Sequence, residues 1–258
     1  MWFVTIGLIV AVLGMSSAPA VADCEAFVTY KGVALQRFSG SKTYAYRITH
    51  IAIDADGAPN AYHPQDRGID ALANAGFPTG GWRSVLVVDP SNSSRPFVQK
   101  TGEFVGFFLS MTTLQDRGRA ATDPARYVDA RTVPYIVFPG RFFQMADTGR
   151  LGVLGMARNL STGQTSPMIF ADVGGTDHEL GEVSIKLAEN LGGHDIDPRT
   201  SRGAPRGPFA YVIFPGSEGT PPWPLSMDQL EQRTEAELGK IGGWGTVLSC
   251  AGPATPTG

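Results

Sequence analysis

Asp172 and Glu182 flank the turn Val173-Gly174-Gly175-Thr176-Asp177-His178-Glu179-Leu180-Gly181. Asp172 closes the apolar run Met168-Ile169-Phe170-Ala171, which reads as a buried strand. Glu182 opens a segment with Ile185, Ala188 and Leu191 at helical spacing, ended by Gly192-Gly193. A carboxyl at a strand end facing another at a helix start is an arrangement that hydrolysis of a glycosidic bond can use. One carboxylic acid protonates the leaving oxygen, and one carboxylate activates water or attacks carbon. The same junction also fits plain capping and solvated charge.

A second polar cluster lies in Ile53-Asp54-Ala55-Asp56-Gly57-Ala58-Pro59-Asn60-Ala61-Tyr62-His63-Pro64. Asp54 and Asp56 share a face if the backbone is extended, and Asp56-Gly57 starts a tight turn. The pattern begins like a calcium loop but lacks the later ligands and the closing Glu, which argues against calcium. Its functional reading is a loop that offers Asp54, Asp56, Asn60, Tyr62 and His63 to a sugar, with Tyr62 as a platform for a ring. A self-bonded Asx turn is the structural alternative. Asp177 joins the substrate-binding candidates from the glycine-rich turn.

The elements that position these residues are mostly short strands. Expected strands are Tyr44–Ile48, Val85–Val88, Phe104–Ser110, Tyr135–Phe138, Leu151–Met156, Met168–Asp172 and Ala210–Phe214, separated by Gly, Pro and Asp turns. Helices are expected from about Gly68 to Ala75, from Glu182 to Asn190, and from Ser226 to Lys240. The last opens with a capping box, Ser226 and Gln229. The fold class expected is therefore mainly β: a single-domain β-barrel, the double-psi type being one candidate, with a few peripheral helices. Val133–Gly140 and Phe209–Gly216 repeat one pattern, an apolar aromatic run broken by Pro-Gly, as equivalent strands of a pseudo-symmetric barrel would; coincidence of strand composition explains it equally well.

Residues 1–22 are apolar and end in Ala20-Val21-Ala22, an A-x-A pattern that predicts cleavage before Asp23 and export of residues 23–258. A retained anchor is the competing reading, but the apolar run is short for a span of about 20 residues. The two cysteines, Cys24 and Cys250, sit at opposite ends of the exported part and can close a disulfide in an oxidising compartment. They are too isolated for a metal cluster, and His50, His63, His178 and His194 match no zinc spacing. No metal or other cofactor is expected, nor is a serine nucleophile, since no G-x-S-x-G occurs.

The formal net charge is −3, and it is unevenly placed. Asp172, Asp177, Glu179, Glu182, Glu189, Asp195 and Asp197 fall within 26 residues that contain one cation, Lys186. Such a surface repels nucleic acid and attracts a polycation.

In order along the chain, these pieces resemble the glycoside hydrolase family 75 chitosanases, first known from fungi. The resemblance is carried by Ile53-Asp54-Ala55-Asp56-Gly57, Val133-Pro134-Tyr135-Ile136-Val137-Phe138-Pro139, Ala171-Asp172-Val173-Gly174 with Gly181-Glu182-Val183-Ser184, and Tyr211-Val212-Ile213-Phe214-Pro215-Gly216. It implies an exported, inverting endo-hydrolase of partly deacetylated chitin whose catalytic pair falls on Asp172 and Glu182. It departs from the fungal pattern at Ala55, where those proteins carry cysteine nearby. Leu109–Asp116 and Pro221–Pro224 look more like bacterial relatives. The partner expected is chitosan or a related amino-sugar polymer, acted on by a monomer without stable membrane association.

In this reading Glu182 is the general acid and Asp172 the base, set about 6.5–9.5 Å apart so that water fits between them. A helix N-terminus would favour ionised Glu182, which opposes an acid role, while neighbouring carboxylates push the other way, so the roles can be exchanged. The rival readings are a hydrolase of another amino-sugar polymer and an exported polysaccharide-binding protein without turnover.

Overall fold

The structure, a computed structural model, describes residues 23–253; the expected signal segment 1–22 lies outside the described residues. The chain opens with a hairpin, β1 (Cys24–Tyr30) and β2 (Val33–Phe38). Lys31 and Gly32 both have positive φ in its two-residue turn, the backbone that matches the right-handed strand twist. β3 (Tyr44–Ile48) and β4 (Ala52–Asp54) follow, then a small ribbon, β5 (Val88–Asp89) with β6 (Asn92–Pro96). Next come β7 (Tyr135–Pro139), α1 (Gly140–Phe143), β8 (Leu154–Asn159), β9 (Thr165–Gly174), β10 (Glu182–Ser184), α2 (Ile185–Asn190) and β11 (Phe209–Phe214). α3 (Met227–Lys240) and α4 (Gly243–Cys250) end the described chain.

Among the described residues, nine strands form one mixed sheet in the order β1-β2-β3-β11-β8-β9-β7-β10-β4, and of its pairings only β7–β9 and β10–β4 are parallel. β3 stands third and β4 ninth, yet Thr49, His50 and Ile51 alone join them. Three residues bridge at most about 14 Å. Six steps across a flat sheet would need about 29 Å at about 4.8 Å each. The sheet must therefore curl until its two flanks approach one another. Tyr30 of β1 accordingly donates to the carbonyl of His178, just before β10, at 3.0 Å. The expectation of a mainly β fold with few helices holds, and the curled sheet does not contradict the barrel.

β7 and β11, the two segments of similar sequence, are buried throughout and run in the same direction, with β8 and β9 between them. Burial on both faces is why each reads as a continuous apolar run. α3 has the expected capping box at Ser226 and Gln229. Cys24 and Cys250 form a disulfide that ties β1 to α4. No helix among the described residues is long and apolar enough to cross a membrane.

Several elements differ from expectation. Of Val85–Val88 only Val88 enters a strand, β5, while Leu86 makes an isolated bridge to Ser110, and the strand expected from Leu151 starts at Leu154. Residues 68–75 form turns instead of a helix. Asp70 Oδ1 takes the Ala71 N–H and the Asn74 amide, competing with helical bonding, while Ile69 and Asp70 donate back to the carbonyls of Asn60 and Ala61. Phe104–Ser110 makes only isolated bridges at Phe108 and Ser110, because Gly106 turns at φ 92°. The helix expected from Glu182 starts at Ile185, since Glu182–Ser184 pair with Ala52–Asp54 and Ser184 caps the helix by accepting from Leu187 N.

Candidate active site

β4 delivers Asp54 to the inside of the curled sheet, where it is buried. Its Oδ1 accepts the Asp56 N–H at 2.8 Å, closing an Asx turn. Gly57 follows at φ 76°, and any side chain there would strike the Val128 carbonyl. The turn points Asp56 back beside Asp54. The Tyr135 hydroxyl, from β7, lies 2.9 Å from both Asp54 Oδ2 and the Asp56 carbonyl. The Tyr62 hydroxyl lies between Asp56 Oδ1, at 2.8 Å, and Asp70 Oδ2, at 3.1 Å. Ser110 donates to Asp56 Oδ1 at 3.2 Å.

β9 brings Asp172 to the same place. Three donors converge on its Oδ1: Thr113 N at 2.9 Å, Thr113 Oγ1 at 2.5 Å and Val173 N at 2.8 Å. Asp54, Asp56 and Asp172 each offer an oxygen within 4.8 Å of the other two. That spacing can hold a cation, but it also obliges carboxyls without one to share protons. A single hydroxyl hydrogen on Tyr62 cannot serve two carboxylates, which is the bonding expected where one of them is protonated. Burial pushes the Asp172 carboxyl up to about 6 against the pull of its donors. Burial, followed by neighbouring carboxylates, raises Asp54 and Asp56 well above the usual carboxylate range.

Glu182 stands at the start of β10, outside α2, so the helix dipole does not act on it as expected from sequence. A methyl group on Gly174 would lie 2.9 Å from Glu182 Oε2. Beyond the β9 bulge, Asp172, Val173 and Gly174 pair regularly with Val137, Phe138 and Pro139. Residues two apart on a strand share a face, with origins about 6.6 Å apart. Asp172 and Glu182 are thus on one face, the glutamate carboxylate filling the space above the glycine. His178 Nδ1 lies 3.8 Å from Glu182 Oε2, and that contact raises the imidazole's pKa. Glu182 opens into a cleft of about 570 Å³ with Lys31, His50, Asp177, His178 and Glu179 on its walls.

The other sequence candidates are placed differently from one another. Asp54 and Asp56 join Asp172 in the buried cluster. Asp177 is exposed in the Glu182 cleft and paired with Arg141 at 2.9 Å. Tyr62 is 2% exposed, so its role is to hold Asp56 and Asp70 and its ring offers no sugar platform. His63 is engaged by Gln65 N, Arg67 and the Phe107 ring. Asn60 is partly buried and its side-chain oxygen is without a partner.

Tyr135, Thr113, Ser110, Asp70 and His178 were not among the candidates. Tyr135 had a signal: a tyrosine in a wholly apolar strand needs a partner for its hydroxyl, and in this fold an acid supplies it. Thr113 had none, because it meets Asp172 across 59 residues. No protein-family model matches this chain, and no curated protein matches it in sequence.

Proposed function

We propose that this protein is an exported, endo-acting glycoside hydrolase that cleaves β-1,4 bonds of chitosan with inversion. The single observation that carries the reading is that Asp172, held near a pKa of about 6, shares its strand face with Gly174, and the Glu182 carboxyl, reaching over from β10 and open to a cleft, fills the space above that glycine. An acid at that pKa is protonated in mildly acidic water and can give its proton to a leaving oxygen. With Oδ1 saturated by three donors, Oδ2 is the oxygen left to carry that proton. Glu182, the carboxyl that opens into the cleft beside His178, is the one to which water has access for activation. This exchanges the two roles expected from sequence.

An inverting reaction needs the two carboxyls about 6.5–9.5 Å apart, and the Glu182 carboxyl stands over Gly174, about 6.6 Å along β9 from Asp172. Asp177, Glu179 and Glu182 in one cleft favour a polymer bearing protonated amines. The Cys24–Cys250 bond is consistent with an oxidising compartment and so with export.

The test is reducing-end release from soluble chitosan by the wild type, Asp172→Asn and Glu182→Gln, repeated on a chito-oligosaccharyl fluoride. The expected result is near-complete loss in both variants on chitosan. Asp172→Asn alone should recover on the fluoride, which needs no proton to leave. Near wild-type chitosan cleavage by either variant refutes the mechanism.

A further inference from the structure

A second cleft, of about 550 Å³, lies between residues 113–118 and the strap Pro221-Pro222-Trp223-Pro224, with Leu151 on its wall. Thr113 belongs both to this cleft and to the Asp172 carboxyl it bonds. Glu182 belongs both to the first cleft and to the space over Gly174. One wall residue of each cleft thus reaches the Asp172–Gly174 end of β9: Thr113 by its bonds to Asp172, and Glu182 by its place over Gly174.

Their chemistry differs. The first carries three acids, of which Asp177 is paired with Arg141, against one cation on its wall, Lys31. The second is walled by Leu114, Leu151, Pro222 and Trp223, and its one acid, Asp116, is already taken by Arg119 and the Gly118 N–H. Arg117, exposed on the rim, has no ion-pair partner among the described residues. Trp223 is nine-tenths buried, and its indole nitrogen, itself buried, has no acceptor among the described residues. An ammonium group would meet an uncompensated cation here, whereas an acetamide brings a methyl for the apolar walls and a carbonyl that can accept from the Arg117 guanidinium.

We infer that the cleft of Thr113, Leu151, Pro222 and Trp223 binds an N-acetylated sugar unit, so that cleavage is directed to places where an acetylated residue lies on this side of the broken bond. The inference rests on the hydrolase reading for its consequence in cleavage, but binding tests it separately.

Two measurements decide it. The first is calorimetric titration of Glu182→Gln protein with the N-acetylglucosamine tetramer and with the glucosamine tetramer. Adding Arg117→Glu or Leu151→Gln should weaken the acetylated ligand about tenfold, with Arg117→Glu narrowing its advantage over the glucosamine ligand. Thermal melts certify that each variant is folded. The second is mass-spectrometric sequencing of product ends from half-acetylated chitosan, where Arg117→Glu should shift the cleft-side ends toward glucosamine.

Acetylated-ligand affinity that ignores both substitutions overturns the inference, as do product ends unmoved by Arg117→Glu in an active enzyme. Binding lost in both variants of a protein that cleaves no polymer would instead uphold the cleft and refute the hydrolase reading.

Discussion

Thr113 gives both its backbone N–H and its hydroxyl to one oxygen of Asp172. The arrangement orients the carboxyl and holds down a pKa that burial alone would drive higher. A hydrogen bond to a charged group is worth about 1.5–3 kcal/mol. Thr113→Val removes the hydroxyl and keeps the backbone donor. It should move the alkaline limb of the activity profile up by about one to two pH units, since one unit corresponds to about 1.4 kcal/mol. Thr113→Ser should restore the wild-type limb. A limb at the same pH in the Val variant would show that the hydroxyl does not tune Asp172.

Gly174 positions Glu182 by having no side chain. In Gly174→Ala the methyl would lie 2.9 Å from Glu182 Oε2 and 3.2 Å from Val137 Cγ1. The carboxylate is the flexible end of its side chain and yields first. A displacement near 1 Å costs about 100-fold in rate. Expected, then, is a kcat about 100-fold lower in a protein whose melting temperature falls only slightly. Unchanged kcat would remove Glu182 from the reaction.

The buried acids make stability pH-dependent in a definite direction. Asp172 binds its proton more tightly when folded, at about 6, than its ordinary value of 3.8. Asp54 and Asp56 are raised well above the usual carboxylate range too, by burial first and then by neighbouring carboxylates, Glu182 and Asp172 for Asp54 and Asp54 and Asp172 for Asp56. A raised carboxyl stabilises the fold fully below the unfolded value, and that contribution is lost as pH rises through the folded value. Unfolding free energy should decline from about pH 4 through pH 6 and beyond. Asp172→Asn, which cannot ionise, should gain on the wild type at pH 8 relative to pH 4 in denaturant titrations. An equal difference at both pH values would contradict the raised pKa.

The Cys24–Cys250 bond closes a loop with a sequence separation of 226. In the chain-entropy model such a loop contributes about 5 kcal/mol. Cys24→Ser with Cys250→Ser should lower the melting temperature by about 10 °C or more, at about 2–4 °C per kcal/mol for a domain of this size. Calorimetry with and without reductant checks it; reductant should not affect the double variant.

Local chemistry was readable without coordinates. Tyr44–Ile48 is apolar enough to be a strand, Ser226 and Gln229 announce their helix, and Asp54, Asp56, Asp172 and Glu182 stand out as carboxyls at element ends. These depend on neighbours within a few residues, which the chain order already contains. The short strands were harder. Glu182–Ser184 continues in helical periodicity into α2, and only pairing with β4 and β7 makes it a strand.

The sequence by itself determined which residue types are available and which segments are apolar, turning or capped, because those are properties of adjacent residues. The tertiary structure alone decided that Asp54 and Asp172 meet, that Tyr135 and Thr113 hold them, and that Gly174 leaves space for Glu182. The physical reason is that a carboxyl's pKa and reach are set by burial and by donors from distant strands. Those come together only when the sheet curls.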